Sequence, residues 1–400
     1  MSDLFWPGDH RAGTMMSDAA LLTALAAVEN AWLTVLVEAG IAPALAAADL
    51  TALVSEADLA ELAVAAEKDG NPVTALVALL RTRAGGNTAT WLHRGLTSQD
   101  VLDTALMLCT RDAQATVYAH LAAQVQTLLA MIETHSAATV LTRTLTQAAL
   151  PGTFGGKFAV WLNATLDAAE PLAALAFPVQ CGGAAGTMAA ATELSGSPEA
   201  ALRLADGLAD ALDLRTAPAW HTTRSVLTRI GDALVTCTDA WGHIANDIAA
   251  GVRVGELAEG SGGGSSTMPH KNNPVLTVLL RRTAMSAPQL GATLHTASAA
   301  SVDERSDGGW HAEWAALRTL ARRTVVAASQ ATDLLSGLRV DTATAAANLA
   351  AAVGIDAEQR SMQALTGRTG PADYLGATAH LVDAAVHRAR LYLKENRDHT

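Results

Sequence analysis

Aromatic residues and cysteine are scarce in this sequence, and each shortage excludes a class of protein. Phenylalanine, tryptophan and tyrosine together make up 4% of the 400 residues, and few β-branched or aromatic runs alternate as strands do. The three cysteines, Cys109, Cys181 and Cys237, lie far apart and form no CxxC pair, which excludes a disulfide framework and a cysteine-bound zinc site. We therefore expect buried, unpaired thiols in a reducing compartment.

Positive charge is scarce as well. Lysine and arginine number 27 against 39 acidic residues, so the net charge is −12. This net charge disfavours binding to nucleic acid or to an anionic membrane surface, although a local cationic cleft can still bind an anionic substrate.

The sequence also gives no sign of a targeting or membrane-spanning segment. Residues 1–7 lack the basic and apolar segments of a signal peptide. Glycine and proline interrupt the longest uncharged stretch, residues 171–192. We therefore predict a cytoplasmic protein that contacts no membrane.

Apolar residues are abundant, and they recur with the period of an α-helix. They make up 50% of the chain, which is enough for a large core. From a start near Ser98, apolar residues recur at gaps of three or four over residues 102–132. Over residues 230–248 the gaps alternate between four and three, as in the seam of a helix bundle. Similar patterns predict helices over residues 153–170 and 311–338.

These helices predict an all-α fold. Helices of this length cannot bury their apolar faces within one compact chain, so we expect an extended bundle that subunits share. We divide the chain into an N-terminal helical domain over residues 1–97, a central long-helix bundle over 98–338, and a short C-terminal helical domain over 339–400.

The most informative segment is the loop over residues 260–274, in which a glycine-rich run leads into Ser-Ser-Thr-Met-Pro-His-Lys-Asn-Asn-Pro. The glycines allow backbone N–H groups to converge on an anion, and such dipoles can stabilise a serine alkoxide. Lys271 can neutralise a carboxylate, and Asn273 can hold one in place. The alternative is a solvated linker, but a linker does not need the Met-Pro-His-Lys-Asn-Asn-Pro half.

Four polar segments interrupt the helical pattern, and the first, over residues 93–100, precedes the longest predicted helix. The hydroxyl and N–H groups of Thr97 and Ser98 at a helix start can bind a carboxylate. The alternative is an ordinary helix cap, with Asp100 in the first turn. Both interpretations can hold at once.

The other three segments each leave two interpretations open. Arg143 and Gln147 either contact an oxygen-rich ligand or form a surface turn. His221 either donates a proton or binds an anion, or it lies in a helix cap. Arg305 is a candidate carboxylate clamp, and a structural ion-pair cluster with the acidic residues around it is the alternative.

Several chemistries have no motif here. The sequence has no HExxH or other metal-ligand spacing, no Gly-x-Ser-x-Gly elbow of a serine hydrolase, and neither a dinucleotide-binding nor a P-loop fingerprint. We therefore predict that the protein uses no metal and no cofactor.

Together, these segments resemble the fumarase/aspartase superfamily, and most closely its 3-carboxy-cis,cis-muconate cycloisomerase branch. The loop at residues 264–274 is similar to the signature loop of that superfamily, and the other similar segments follow in order along nearly the whole chain. They are residues 70–73, 93–103, 181–187, 220–222, 304–306, 310–314 and 373–376.

The resemblance implies a mostly α-helical, three-domain subunit that forms a homotetramer, with each active site built from three subunits. It makes Ser265 the base that abstracts a proton, and it gives Lys271 and Asn273 the task of holding the carboxylates of a di- or tricarboxylate substrate. The remaining candidate site residues are Asn71, His93, Thr97, Ser98, Arg143, Gln147, His221, Ser266, Met268 and Arg305.

The sequence departs from the family pattern at the Arg143–Gln147 segment. Many family members have a histidine two residues after the arginine or just after the glutamine, where this chain has Leu145 and Ala148. A carboxylate leaves without much help because its pKa is near ~4, whereas an amine needs a proton donor. We therefore expect the lactonising cycloisomerase activity of aromatic-acid breakdown through protocatechuate, with Arg143 or Arg224 as a further cation for a tricarboxylate.

Three alternatives to this activity stay open. One is a related lyase with another good leaving group, such as nitrite from nitrosuccinate. The second is an adenylosuccinate-type lyase, which is disfavoured because Trp314 occupies the position of the arginine that binds the nucleotide phosphate in that branch. The third is a non-catalytic structural or binding descendant, against which the retained Ser265, Lys271 and Asn273 speak.

Overall fold

The structure, a computed structural model, describes residues 3–260, 263–264, 268, 271–370 and 373–398, with side chains described up to residue 395. α-Helices contain most of these residues, which confirms the predicted all-α fold. They are α1 (Asp18–Glu38), α2 (Leu59–Asp69), α3 (Val73–Ala84), α4 (Gly86–Trp91), α5 (Ser98–His135), α6 (Phe154–Ala173), α7 (Ala189–Ser195), α8 (Pro198–Leu212), α9 (Ser225–Arg253), α10 (Val275–Ala299), α11 (Gly308–Ser336), α12 (Thr342–Ala351), α13 (Ala357–Thr366) and α14 (Thr378–Asp398).

The four helices predicted from apolar periodicity are all present. Helix α5 begins at Ser98, as predicted, and runs for 38 residues. Helix α9 contains the segment over residues 230–248, α6 begins one residue after the start predicted at 153, and α11 ends two residues before the end predicted at 338. Along α9 the heptad positions from Ile230 to Ile248 are buried, because the seam of a helix bundle faces its neighbours.

Two elements differ from what the sequence predicts. Glycine and proline at residues 40, 43, 70–72 and 85–86 predict only short helices in the N-terminal region, but α1 runs for 21 residues. It starts at the cap Ser17, whose side chain accepts a hydrogen bond from the N–H of Ala20. Gly40, with φ of 71°, follows its end.

The second difference is a β-hairpin, formed by β1 (Thr139–Thr144) and β2 (Gln147–Thr153). Thr144 pairs with Gln147, so Leu145 and Thr146 form a two-residue turn, with φ of 48° and 70°. A turn with positive φ at both central residues matches the twist of a hairpin. Two short strands, β3 (Leu257–Ala258) and β4 (Arg339–Val340), pair antiparallel elsewhere.

The chain divides into two compact units, whose boundaries fall inside α5, α9, α10 and α11. Unit 1 contains residues 1–116, 174–232 and 288–325, and unit 2 contains residues 117–173, 233–287 and 326–400. The three-domain division at residues 97 and 338 stays a prediction.

The core of unit 1 is a single apolar cluster in which α1 is central. Trp32, Leu36, Leu76 and Leu80 are fully buried in it. The indole N–H of Trp32 donates to the backbone oxygen of Arg94 over 2.7 Å. This bond holds the segment before α5 against α1.

Unit 2 has an apolar core with a neutral polar link at its centre. The indole N–H of Trp241 on α9 donates to Oε1 of Gln124 on α5 over 2.7 Å, and Nε2 of Gln124 donates to the Ala328 oxygen on α11 over 3.0 Å. Helix α14 packs on α6, where Arg388 pairs with Glu170 at 2.6 Å.

By length and composition alone, α1 and α5 could each cross a membrane. This is weak evidence for a span, because the core helix of a water-soluble protein passes the same test. The windows concerned are 61% and 39% buried inside the structure, and α1 supplies the core of unit 1. Burial in the core therefore accounts for the apolar composition of α1.

The three thiols are free, as expected. Cys181 and Cys237 are buried, but Cys109 is only half-buried, which differs from the prediction. Desolvation raises the pKa of Cys109 and of Cys237 to about 12. Both thiols are therefore protonated at neutral pH and are poor nucleophiles.

Candidate active site

The start of α5 in unit 1 brings two predicted site residues together. Nη1 of Arg305 donates to Oγ1 of Thr97 over 2.8 Å, and the guanidinium lies 5.8 Å from the ring centre of Trp310. The N–H of Thr97 donates to Oδ2 of Asp100 over 2.9 Å, which is half of a capping box. Ser98 is the first residue of the helix. The segment is therefore a helix cap, and the same geometry places a guanidinium beside N–H groups that favour an anion.

Asp100 joins this helix start to two other segments of unit 1. Its side chain is fully buried, and each of its oxygens accepts a backbone N–H at 2.9 Å, from Gly182 and Gly183. Nε2 of His221 lies 2.9 Å from Oδ1 of Asp100. His221 itself is 4% exposed. His221 thus lies within a buried hydrogen-bond cluster, and its predicted role as a catalytic acid stays a prediction.

One turn further along α5, Asp103 forms part of a buried ion cluster. Arg224 bonds both oxygens of Asp103, at 2.7 and 3.0 Å, and both oxygens of Glu313. The side chains of Arg224 and Asp103 are 0% exposed. Burial raises the pKa of Glu313, which Arg224 partly offsets, while the carboxylates around Arg224 raise its pKa despite desolvation.

Every N–H group of Arg224 bonds a protein oxygen, because Nη1 also donates to the backbone oxygen of Trp220 at 3.3 Å. The expectation that Arg224 serves as a further substrate cation therefore does not fit the structure. The arginine is fully occupied in neutralising two buried carboxylates.

Asn71 and His93 both lie in unit 1 with structural partners. Oδ1 of Asn71 accepts the N–H of Val73, the first residue of α3, at 3.0 Å. Nδ1 of His93 lies 2.6 Å from Oε1 of the buried Glu29, and the backbone of His93 has φ of 64°. A substrate contact for either residue stays a prediction.

The hairpin of unit 2 carries Arg143 and Gln147. Arg143 bonds the two oxygens of Glu256 at 3.2 and 2.9 Å, and Glu256 is 3% exposed. Gln147 is exposed beside the turn, where Leu145 is 96% exposed. The segment is therefore a surface turn, as one interpretation held. A ligand contact for Arg143 or Gln147 stays a prediction.

The glycine-rich loop lies in unit 2, and the described residues show how its two ends are joined. Gly263 and Asn273 exchange two backbone hydrogen bonds of 2.8 Å. Lys271 is exposed, and its ammonium has no hydrogen-bond or ion-pair partner within the described part of the chain. Met268 is 41% exposed. Ser265 and Ser266 lie outside the described residues.

Glu259 fixes the helix that follows this loop. Its carboxylate is buried, and it accepts the N–H groups of Leu276 and Thr277 at 2.9 and 3.1 Å and the Thr277 hydroxyl at 3.0 Å. The N-terminus of α10 is thus capped from within the chain.

Sequence reasoning missed the acidic partners of the candidate cations and histidines. Glu256 contacts Arg143, which lies far away in the sequence, and such a contact leaves no local signal. Asp100 and Asp103 did have a signal, since they lie three residues apart on one helix inside the similar segment at residues 93–103. Among the described residues, no group of three histidine, cysteine or acidic side chains could hold a metal ion.

Comparisons with known proteins extend over nearly the full chain. The sequence model of a family described as lyase matches residues 9–288. Nitrosuccinate lyase of Streptomyces davaonensis is 39% identical over 381 residues, covering 90% of this chain and 80% of that protein. The 3-carboxy-cis,cis-muconate cycloisomerase of Bradyrhizobium diazoefficiens is 37% identical over 344 residues, covering 83% of this chain and 74% of that protein.

A solved structure is similar over the same extent. The crystal structure of 3-carboxy-cis,cis-muconate lactonizing enzyme from Pseudomonas putida matches with a TM-score of 0.82 at 29% identity. The match covers 95% of this chain and 97% of that chain. The similarity in fold therefore extends over most of the chain.

Proposed function

Because the chain belongs to the lyase family of the fumarase/aspartase superfamily, we propose that this enzyme cyclises 3-carboxy-cis,cis-muconate to its lactone. In this isomerisation one carboxylate oxygen bonds to the carbon β to another carboxylate, and a proton is added to the α carbon. The reverse direction removes that proton and expels the carboxylate. Apart from this proton, which the ionised tricarboxylate takes up from the solvent through the enzyme, no co-reactant is needed in either direction.

The observation that carries this proposal is the pairing of Arg305 with Thr97 at the start of α5. The exposed guanidinium can form a bidentate pair with a carboxylate, and the first N–H groups of the helix add further positive potential. A carboxylate held there would develop negative charge as the α-proton leaves, and preorganised donors stabilise that charge.

The glycine-rich loop would supply the proton transfer. In the proposal Ser265 is the base in the eliminating direction, and its hydroxyl returns the proton in the lactonising direction. The ammonium of Lys271, which has no protein partner among the described residues, would neutralise a second carboxylate. Asn273 would orient it from the base of the loop, where its backbone is paired with Gly263.

The hairpin favours an anionic leaving group. Leu145 and Ala148 stand where many family members have a histidine, and the exposed Leu145 side chain cannot donate a proton. A carboxylate needs no proton to leave, because its pKa is near ~4. An amine leaving group would need an acid that this hairpin does not carry.

Direct assay tests the proposal. Purified protein is mixed with 3-carboxy-cis,cis-muconate, and the loss of diene absorbance is followed in the ultraviolet. We expect turnover by the wild type and a loss of about 100-fold or more for Ser265→Ala, since general base catalysis contributes that much. Near-full turnover by Ser265→Ala would remove the base assignment, and an inactive wild type would reject the substrate.

Nitrosuccinate is the second candidate substrate, because the 39% identity to the Streptomyces davaonensis enzyme extends over 90% of this chain. Nitrite is a stable anion and leaves without an acid, so the same base and the same carboxylate clamp would serve. A colorimetric assay of nitrite release from nitrosuccinate, run beside the muconate assay, distinguishes the two candidate substrates. The substrate with the higher kcat/KM identifies the reaction.

We also propose that the enzyme works as a cytoplasmic homotetramer in which the loop of one subunit completes the site of another. The superfamily resemblance supports this, as do the apolar side chains of Val278 and Met285 on α10, which are 55% and 66% exposed in a single chain. Light scattering after size-exclusion chromatography measures the mass directly. A monomer of 41.1 kDa with full activity would contradict the shared site.

A further inference from the structure

Asp100 connects three separate segments of unit 1 through one buried carboxylate. It accepts the N–H groups of Thr97, Gly182 and Gly183 and lies beside Nε2 of His221, with all four distances at 2.9 Å. Buried backbone donors need such partners, since leaving one unpaired is costly. The carboxylate therefore sets the start of α5, the segment at Gly182 and the His221 ring relative to one another.

The residues around this carboxylate are closely packed. A Cβ atom at Gly182 would lie 2.5 Å from Cε1 of His221 and 2.8 Å from Cβ of Ala219. The imidazole ring therefore rests directly on the Gly182 backbone. A displacement of the ring would move the N–H donors that converge on Asp100.

The connection continues from the buried carboxylate to the exposed guanidinium. Asp100 accepts the backbone N–H of Thr97 at 2.9 Å, and the hydroxyl oxygen of the same residue accepts from Arg305 at 2.8 Å. Among the described residues, Thr97 is the hydrogen-bond partner of the Arg305 side chain, and the guanidinium also lies 5.8 Å from the ring centre of Trp310. Asp100 thus acts on the candidate carboxylate site through Thr97.

We propose that Asp100 is the positioning residue of the carboxylate site, and that His221 acts through Asp100 instead of giving a proton to the substrate. Asp100 holds the helix start and the Gly182–Gly183 backbone in register, so that Thr97 and Arg305 present one preformed anion site. This role rests on the proposed function only in that the site binds carboxylates.

The first test compares Asp100→Asn with Asp58→Asn. An asparagine can accept on one atom only, and its NH₂ group would face backbone N–H donors. The control Asp58 also accepts an arginine and a backbone N–H, but at another place in unit 1. Citrate serves as the tricarboxylate probe, and its affinity is measured by calorimetry.

We expect Asp100→Asn to weaken citrate binding about 10-fold or more, the effect of losing bonds to a charged group, and Asp58→Asn to leave it unchanged. Hydrogen–deuterium exchange followed by mass spectrometry should show faster exchange at Thr97 and at Gly182–Gly183, with distant peptides as in the wild type. Unchanged exchange at both places, unchanged affinity, or a wild type that binds no citrate would overturn the proposal.

A second variant keeps the test valid if Asp100→Asn does not fold. Gly182→Ala pushes the His221 ring while it retains the carboxylate, and Gly370→Ala is its control because a Cβ there meets nothing within 4 Å. We expect the same local exchange and the same weaker binding for Gly182→Ala alone. If neither Asp100→Asn nor Gly182→Ala folds, Asp100 is only a core residue and the proposal is wrong.

The role of His221 is read from kinetics on whichever substrate is turned over. If His221 acts through Asp100, His221→Gln raises KM and leaves the shape of the pH profile of kcat unchanged. If it donates the proton, kcat falls and one limb of that profile disappears. Because binding and exchange are measured without turnover, an inactive wild type rejects the proposed substrate and leaves the positioning result standing.

Discussion

Arg224 and Arg305 belong to the same unit but lie in opposite surroundings. Arg224 is 0% exposed, and all its N–H groups bond protein oxygens, mainly those of Asp103 and Glu313. Arg305 is exposed at the start of α5 and bonds the Thr97 hydroxyl. The sequence alone offered both as cations for a tricarboxylate.

This difference shows that the number of carboxylates bonded to an arginine determines whether its guanidinium is free to bind a substrate. A guanidinium that already neutralises two buried carboxylates can accept a substrate only by leaving them unpaired, at several kcal/mol for each buried ion. A guanidinium at a helix start with one neutral partner has most of its donors left for a ligand. Arg143, which is 29% exposed and paired with one buried carboxylate, lies between these two cases.

The largest expected effect is on the Arg224 cluster. Arg224→Met removes the cation and leaves Asp103 and Glu313 buried together, so we expect the free energy of unfolding to fall by about 3–5 kcal/mol. Urea unfolding measures this. The control Arg83→Met breaks a pair whose arginine is 38% exposed, so its free energy of unfolding should fall much less. Equal losses in the free energy of unfolding of the two variants would contradict the difference between the buried and the exposed arginine.

Arg305→Gln should give the opposite result, with activity lost and stability retained. Because a hydrogen bond to a charged group contributes about 1.5–3 kcal/mol, kcat/KM should fall by about 10- to 100-fold while the unfolding midpoint stays unchanged. Steady-state kinetics and thermal unfolding check both parts. A destabilised but fully active variant would make Arg305 a structural residue.

Arg143→Gln sharpens the comparison because it tests the intermediate case. Glu256 would stay buried with Asn348 as a remaining partner, since Nδ2 of Asn348 donates to Oε1 of Glu256 at 2.9 Å. We expect a loss of about 1–3 kcal/mol in the free energy of unfolding. An additional fall in kcat/KM would support a substrate contact, and an unchanged kcat/KM would leave Arg143 a structural role alone.

The smallest effect concerns the Arg83–Asp58 pair at low pH. The side-chain bond from Arg83 lowers the pKa of Asp58 from 3.8 to about 2. A carboxyl whose pKa is lowered by folding stabilises the protein above its unfolded value, and this contribution is lost as the pH falls from about 4 towards 2. The difference in Tm between wild type and Asp58→Asn should therefore shrink over that range. A constant difference from pH 7 to pH 3 would contradict the assignment.

The long helices could be predicted because their apolar residues repeat along a single segment. Helix α5 begins at Ser98 as predicted, and α9 contains the predicted heptad seam. The hairpin could not be predicted from the sequence, because its turn at Leu145 and Thr146 lacks the Asn-Gly or Asp-Gly pair that normally marks positive φ. The pairing of β1 with β2 holds these two residues in a conformation that their side chains disfavour.

At the candidate site, the motifs indicated candidate residues but not the partners that the structure gives them. Thr97 and Arg305 were both predicted as site residues, and the structure joins them by a hydrogen bond. Arg224 was predicted as a possible ligand cation and lies in the core instead. A single arginine looks the same in the sequence in either place, since the carboxylates that bind it come from other helices.

Asp100 and Asp103 lie one turn apart on α5, and their carboxylates have different structural roles. The first holds the helix start for the candidate site, and the second anchors Arg224 in the core. Inserting or deleting a single residue between Ser98 and Asp103 would rotate one carboxylate away by about 100°. Over evolution, this turn should therefore tolerate no change of length.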